Sequence, residues 1–364
     1  MKVPYLSLNQ QWVDIRKEAL PLIDEVLSTG KYIEHEIVEL LERELADKLG
    51  VKYVVLVNSG TDALMLSLYA LGVKKNDEVI TVPNSFIASV GAIQHIGAIP
   101  KIVDVGPDHL IDVTQIESAV TSKTRAIMPV HLEGKVCNMK KIKEIAERHN
   151  LLIIEDVAQA FGSKFSGQMA GSFSDAACFS LHPLKNLNAC GDGGFVATDS
   201  IEVADRIKSL RNHGQVERNS SSEFGFVSRF DSIQAAILLI RLKKLDQVIA
   251  QRRDNARIYD LAFENSSILA PIVSSEVFHT YHTYSIEINN RDNVRAKLSK
   301  LGIDTRIHYP NLITEQKAFI DKFGSCLEQL PNAVNQKTRI LSIPIHAHLH
   351  PDEVAYVANQ LLSQ

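Results

Sequence analysis

Short apolar runs alternate with helical patterns along the first half of the chain, and this alternation constrains the fold more than any other feature. The predicted buried strands are the apolar segments at 51–57, 78–83, 100–105, 124–132 and 151–154. Helical spacing separates successive strands, as in repeated strand–helix–strand units. Because strands covered on both faces form parallel sheets, the sequence predicts an α/β fold with a mostly parallel central sheet covered by helices.

The chain is longer than one hydrophobic core usually supports. It has 364 residues, whereas single cores stop growing at about 250–300 residues. We expect a large domain with N-terminal helices over 1–245 and a smaller C-terminal α+β domain over 246–364. A long helical pattern at 235–263 predicts the connection between them.

Composition excludes several classes of partner. A net charge of −4 gives no electrostatic basis for binding nucleic acid or an anionic membrane. We see no signal-peptide pattern and no apolar run near the ~18 residues of a spanning helix. The four cysteines lack metal-site spacing, which favours free thiols and a cytoplasmic location.

The segment 151–200 contains the strongest chemical pattern. Its apolar run ends on Glu155 and Asp156, so the predicted strand places acid at the mouth of an open α/β sheet, where such folds bind ligands. Lys185 follows Pro183 and precedes a glycine-rich turn with few charges nearby. Such a lysine is a candidate nucleophile with a lowered pKa.

A second candidate element is the helix start after the strand at 51–57. Gly60 and Thr61 there could offer backbone N–H groups and a hydroxyl to an anion. An ordinary helix cap is the commoner use of such residues. The residues alone leave both interpretations open.

Together these motifs resemble those of a known family. The residues that carry the resemblance are Glu155-Asp156-x-Ala158-Gln159-Ala160, Phe179-Ser180, Lys185-Asn186-Leu187 and Gly191-Asp192-Gly193-Gly194. They are similar to the central motif of the DegT-type sugar aminotransferases, which are pyridoxal 5'-phosphate (PLP) enzymes of fold type I acting on nucleotide-linked keto sugars. The resemblance covers nearly the whole chain.

The resemblance implies a role for each motif residue. Lys185 would be nucleophile and proton shuttle, and Asp156 would keep the cofactor's ring nitrogen protonated. Further cofactor contacts would come from Ser59, Gly60, Thr61 and Ser180 at the phosphate, Phe86 on the ring face and Gln159 at the ring hydroxyl. Substrate contacts would come from His182, which is also a catalytic candidate, and from His308 and Tyr309.

The implied reaction moves an amino group from an amino acid, L-glutamate, to a nucleotide-linked 3-keto-6-deoxyhexose in amino-sugar biosynthesis. The implied assembly is a homodimer with active sites at its interface. A 4-keto sugar aminotransferase is one alternative. A dehydratase of the same fold would carry His in place of Lys185, and a non-catalytic regulatory protein is the third alternative.

Two departures from the family concern the N-terminal lining and the contact with the cofactor phosphate. His35 stands where the family usually has Gly, and Val227 replaces an Asn that reaches the partner subunit's cofactor phosphate. Ser228 or Arg229 could supply the missing donor. The neighbouring segment 215–223 is polar and is predicted to be a mobile loop.

Two histidine features complete the pattern. His346-x-His348-x-His350 has the spacing of one strand face, but no Cys or carboxylate pair completes a metal site, so we expect none. His350 precedes Pro351 and is predicted to begin a helix. His131 could lie near the cofactor or bond a loop carbonyl, and the sequence leaves both open.

Overall fold

The computed structural model describes residues 1–33 and 36–364, so the departure at His35 lies outside the described residues. Twelve α-helices occur in these ranges. They are α1 (Leu8–Thr29), α2 (Glu36–Leu49), α3 (Gly60–Ala70), α4 (Ala88–His95), α5 (Val113–Ala119), α6 (Met139–His149), α7 (Ile201–Leu210), α8 (Ser232–Phe263), α9 (Arg291–Lys300), α10 (Lys317–Phe323), α11 (Pro331–Arg339) and α12 (Pro351–Leu362).

Seven strands form the central sheet, and seven shorter or separate strands form three small sheets. In chain order they are β1 (Tyr53–Val57), β2 (Glu78–Thr81), β3 (Ile99–Ile102), β4 (Thr124–Ile127), β5 (Leu152–Asp156), β6 (Lys164–Phe165), β7 (Gln168–Met169), β8 (Ala176–Ser180), β9 (Gly194–Thr198), β10 (Gln215–Glu217), β11 (Ser220–Ser221), β12 (Val277–Phe278), β13 (Tyr284–Glu287) and β14 (Ile340–Ile343).

The central sheet has the order β1-β9-β8-β5-β4-β2-β3. The pairs from β8 through β3 are parallel, whereas β9 runs antiparallel to both β1 and β8. Apolar side chains from both faces of the sheet pack into two separate core clusters against the flanking helices. The prediction of a mostly parallel sheet covered by helices is therefore confirmed.

Two sequence-based predictions need correction. The strand predicted over 124–132 ends at Ile127, since Pro129 has no N–H with which to extend the ladder. The predicted loop at 215–223 is a short hairpin of β10 and β11. Asn219 makes the turn in the left-handed region, at φ 65°, which asparagine tolerates.

The C-terminal third has a core of its own. Side chains from the end of α8, from β13 and β14 and from α9 and α12 form a third apolar cluster, which Val3 joins from the N-terminus. Helix α8 is continuous for 32 residues and runs through position 245. The division of the chain at that position stays a prediction. In the described ranges, no helix is both long and apolar enough to cross a membrane.

Candidate active site

The carboxyl ends of β5 and β8 and the first turn of α3 surround a cavity of about 360 Å³. Segments after β2 and near β13 close its other sides. Every site residue proposed from the sequence lines this cavity: Ser59, Gly60, Thr61, Phe86, Asp156, Gln159, Ser180, His182, Lys185, His308 and Tyr309. The tertiary structure thus brings together residues that are up to 250 positions apart in the chain.

The first turn of α3 forms a cradle for an anion. Ser59 caps the helix, its Oγ accepting from the N–H of Asp62 at 3.0 Å. The N–H groups of Gly60 and Thr61 meet no acceptor within the described ranges and lie at the positive end of the helix dipole.

Close backbone approaches require glycine at two positions of this cradle. A Cβ on Gly60 would lie 2.8 Å from the Cβ of Ser180, and a Cβ on Gly194 would lie 2.4 Å from the carbonyl carbon of Ser59. The end of β8 and the start of β9 therefore press against the helix start, which places the Ser180 hydroxyl beside the free N–H groups.

Asp156 is buried at the end of β5, with 4% of its surface exposed. Its Oδ2 accepts from the hydroxyl of Ser89 at 2.8 Å and its Oδ1 from the N–H of Ala158 at 3.1 Å. Burial raises the pKa of Asp156, although these donors and the charge of Lys185 oppose the rise. A cationic group opposite this carboxylate would relieve the cost of burial.

Lys185 lies in the turn after β8, where its N–H donates to the carbonyl of His182 at 2.9 Å. Burial lowers the pKa of Lys185 to about 8, and the neighbouring Asp156 carboxylate limits the decrease. A substantial fraction of the amine is therefore neutral near pH 8, as a nucleophile requires.

Gln159 has a defined orientation in the turn after β5. Its Oε1 accepts from the N–H of Glu133 at 2.8 Å, and its Nε2 donates to the hydroxyl of Tyr309 at 3.2 Å. The Tyr309 ring lies 5.9 Å from that of Phe86, which is 56% exposed and presents a free aromatic face. The amide's donor end therefore faces the cavity.

Two histidines that line the cavity have lowered pKa values. Burial lowers the pKa of His308 to about 4, and its Nδ1 lies 2.9 Å from the hydroxyl of Ser342. Burial, with a contribution from the charge of Lys185, also lowers the pKa of His182. Both rings are therefore neutral acceptors or donors at neutral pH.

The sequence-based interpretation missed several residues of the cavity. Ser85 and Ser89 lie four residues apart and are joined by a 2.9 Å hydrogen bond, which continues to Asp156. Their spacing could have indicated a shared face near α4. Tyr5, His282 and Thr283 also line the cavity, and no local motif distinguishes them.

Of the two residues that follow Val227, only Arg229 has a side-chain donor available. Val227 is 60% exposed. Ser228 is buried, and its hydroxyl donates to Asp62 at 2.6 Å while accepting from the N–H of Asn58 at 3.1 Å. Ser228 therefore serves its own subunit. The Nε of Arg229 has no acceptor in the described part of the chain.

The four other histidines singled out in the sequence, at 131, 346, 348 and 350, have structural partners. His131 is buried, its Nε2 bonds Glu155 at 2.8 Å and its Nδ1 accepts from the N–H of Cys137, so its ring does not bond a loop carbonyl. Its backbone N–H donates to the carbonyl of Asp156, so a position near the cofactor stays a prediction. His350 accepts from the N–H of Asp352 and caps α12, as predicted. His346 and His348 contact different groups, the carbonyl of Pro4 and the carboxylate of Asp14.

These features fit PLP in size and chemistry. Gly60, Thr61 and Ser180 would hold the phosphate, Asp156 the ring nitrogen, Gln159 the ring hydroxyl and Phe86 the ring face. Lys185 would reach the aldehyde carbon. Two observations support the fit. The N–H groups of Gly60 and Thr61 are unused donors, and the buried carboxylate of Asp156 lacks a full charge partner.

Comparison with known proteins gives a consistent result. The profile of the DegT/DnrJ/EryC1/StrS aminotransferase family matches residues 13–362. A pleiotropic regulatory protein of Geobacillus stearothermophilus is 37% identical over 99% of this chain and 98% of its own length. The dTDP-3-amino-3,4,6-trideoxy-alpha-D-glucose transaminase of Streptomyces venezuelae is 38% identical over 96% of this chain and 92% of its own.

Solved structures agree over the full chain. DesV of S. venezuelae, crystallised in complex with a ketimine intermediate, superposes with a TM-score of 0.97 at 36% identity, covering 100% of this chain and 98% of DesV. NtdA of Bacillus subtilis with bound cofactor PMP gives a TM-score of 0.92 at 33% identity, covering 100% of this chain and 86% of NtdA.

Proposed function

Because this chain belongs to the DegT/DnrJ/EryC1/StrS aminotransferase family, a family of PLP-dependent sugar aminotransferases, we propose that it aminates a nucleotide-linked 3-keto-6-deoxyhexose with L-glutamate as donor. One observation carries the proposal: Lys185, whose pKa is lowered, and the buried Asp156 line the same cavity. The amino group at C3 in the name of the S. venezuelae transaminase supports the 3-keto position.

PLP, when bound, supplies an electron-withdrawing ring and the carbon through which the amino group passes from donor to acceptor. Lys185 would hold the cofactor at that carbon, and its neutral Nζ would move a proton at the substrate carbon. Asp156 would hold the proton on the ring nitrogen. Ser89 and the N–H of Ala158 fix the carboxylate for this task.

The remaining residues would bind and orient. The free N–H groups of Gly60 and Thr61 would anchor the phosphate, and Gln159 would fix the ring hydroxyl through an amide held by Glu133. His308 and Tyr309 would contact the sugar. We further propose a homodimer, in which Val227 and Arg229 face the partner's phosphate site.

Borohydride reduction of the PLP-bound protein followed by peptide mapping tests the role of Lys185. We expect the label on Lys185 alone, and a label on Lys135 or Lys164 would contradict the assignment. The reaction itself is tested in two steps. L-glutamate should bleach the visible absorption band of the bound cofactor, and a 3-keto or a 4-keto nucleotide sugar added afterwards should restore that band if it is a substrate. Return with only the 4-keto sugar would exclude the 3-keto proposal.

The second candidate function is regulatory, favoured by the name of the Geobacillus relative and by the valine at 227. A protein of that kind would bind PLP without turnover. Bleaching by L-glutamate therefore separates the two candidates, because it requires the first half of the aminotransfer reaction.

A further inference from the structure

A second cavity, of about 360 Å³, lies between α1, the segment 183–189, α8 and the loop after β14. It shares no lining residue with the cofactor cavity. Its wall is rich in carboxamides, contributed by Gln11, Asn186, Asn188, Gln247 and Gln251. Its size and polar lining are those of a small-molecule site.

Arg252 carries a buried charge into this cavity. Its side chain is 3% exposed, and its Nη1 donates to the backbone carbonyls of Tyr281 and His282 at 3.0 and 3.2 Å. Its Nε is buried without an acceptor, and among the described residues no carboxylate forms an ion pair with it. Burial lowers the pKa of Arg252 to about 10, which leaves the guanidinium charged at neutral pH. Two hydrogen bonds to neutral carbonyls offset only part of the cost of burying such a charge.

Arg241 adds a second cation to the same wall, and no carboxylate of the described residues forms an ion pair with it. Its Nη1 donates to the backbone oxygen and to Oδ1 of Asn188, at 2.5 and 3.1 Å, while its Nε has no acceptor in the described part of the chain. The amide of Asn186 beside it is also buried with neither end bonded.

Other charges at this cavity are already matched. Asp14 is paired with His348 at 2.7 Å, and Lys244 is paired with Glu18 at 2.7 Å. The wall is therefore left with the two guanidinium charges and with unused donors of Arg241, Arg252 and Asn186.

We propose that this cavity binds a small molecule bearing a carboxylate or phosphate, with its anionic group at Arg241 and Arg252 and its polar remainder against the carboxamides. Guanidinium groups match both oxyanions through directed hydrogen bonds. The proposal goes beyond the aminotransfer reaction, since none of these residues lines the cofactor cavity.

Calorimetric titration of the PLP-saturated protein with malonate and, separately, with inorganic phosphate at constant ionic strength tests this site. We expect one of the two anions to bind at one site per chain. Arg252→Gln should weaken binding about ten- to a hundredfold, as loss of charged hydrogen bonds predicts. Arg295→Gln, on the exposed surface of α9, is the matched control and should leave binding unchanged.

Gln247→Glu provides a second test that does not depend on a buried substitution. Gln247 is exposed where it lines the cavity, so the variant should fold and should weaken anion binding by repulsion. The proposal is wrong if neither anion binds to the unmodified protein. It is equally wrong if binding persists unchanged in both Arg252→Gln and Gln247→Glu.

Discussion

Replacing Lys135 by Met should strongly destabilise the protein, because Lys135 compensates a buried carboxylate. Lys135 and Glu133 are each 1% exposed and their Nζ and Oε2 atoms lie 2.7 Å apart. Removing one partner of a buried ion pair typically costs about 3–5 kcal/mol. The carbonyl of Asp108, which accepts from Nζ at 2.5 Å, would lose its donor as well.

Other charged residues around Lys135 and Glu133 determine how much of the stability lost in Lys135→Met is recovered. His109 lies 3.3 Å from Glu133 and 3.0 Å from Glu287, and Arg339 completes the network at 2.7 Å from Glu287. Burial would lower the pKa of His109, but the carboxylates raise it above its usual value, so His109 carries part of the compensating charge. We therefore expect Lys135→Met to lower the free energy of unfolding by about 3 kcal/mol, at the lower end of the typical range for a broken buried ion pair.

The pH dependence follows from Glu133. Burial alone would raise its pKa, but Lys135 and His109 hold it well below the usual range. A group with a depressed folded pKa stabilises the fold above its unfolded pKa, so the contribution is present at neutral pH and is lost in acid. Without Lys135, the buried and charged Glu133 carboxylate destabilises the folded protein at neutral pH. Protonation of this carboxylate in acid removes that destabilisation. The difference between variant and unmodified protein should therefore shrink as the pH falls towards about 4 and continue to shrink below it.

Urea unfolding of the PLP-bound protein at pH 7.5 measures the effect. Lys141→Met is the control, since Lys141 is 58% exposed and its contact with Glu144 should contribute at most about 0.5 kcal/mol. The double variant Lys135→Met/Glu133→Gln should regain stability relative to Lys135→Met, because it removes the unpaired charge. A loss below about 1 kcal/mol for Lys135→Met would refute the reasoning.

Four further predictions concern the site and the assembly. Asp156→Asn should retain PLP but lose nearly all transamination, and near-normal turnover in a coupled glutamate assay would remove Asp156 from the mechanism. Gly194→Ala should weaken PLP binding at least tenfold by displacing Ser59, whereas Gly91→Ala in α4, where the added Cβ meets open space, should not; equal PLP affinities would contradict this. Arg229→Ala should lower PLP affinity about ten- to a hundredfold if Arg229 replaces the donor missing at Val227; a strong gain from Val227→Asn with no loss from Arg229→Ala would exclude that compensation. Sedimentation should give a dimer, and a fully active monomer of 40.4 kDa would refute the interface role of Val227 and Arg229.

Local sequence determined the architecture and most of the cofactor cavity. Apolar runs long enough for strands, separated by amphipathic helices, leave a covered parallel sheet as the stable arrangement. The ends of such strands meet at one edge, so Asp156 and the helix start at Gly60 were predictable as neighbours from their places in the pattern. Ser180, by contrast, was assigned to the site only through the family resemblance. The close approaches at Gly60 and Gly194 explain why those positions lack side chains.

Only the tertiary structure decided which polar residues are buried and what pairs with them. Ser228 was a candidate donor in the sequence, but the fold uses it to hold Asp62. Nothing in the sequence marks Lys135 as buried, yet it is 1% exposed and pairs with Glu133. The ion-pair network around Glu133 extends through His109 to Glu287 and Arg339, which are distant in the chain. Likewise, Arg241 and Arg252 are unremarkable on a helical pattern, and their unmatched charge exists only where α1, α8 and the loop after β14 meet. Pairing and burial depend on contacts between distant segments, and such contacts leave no local periodicity in a single sequence.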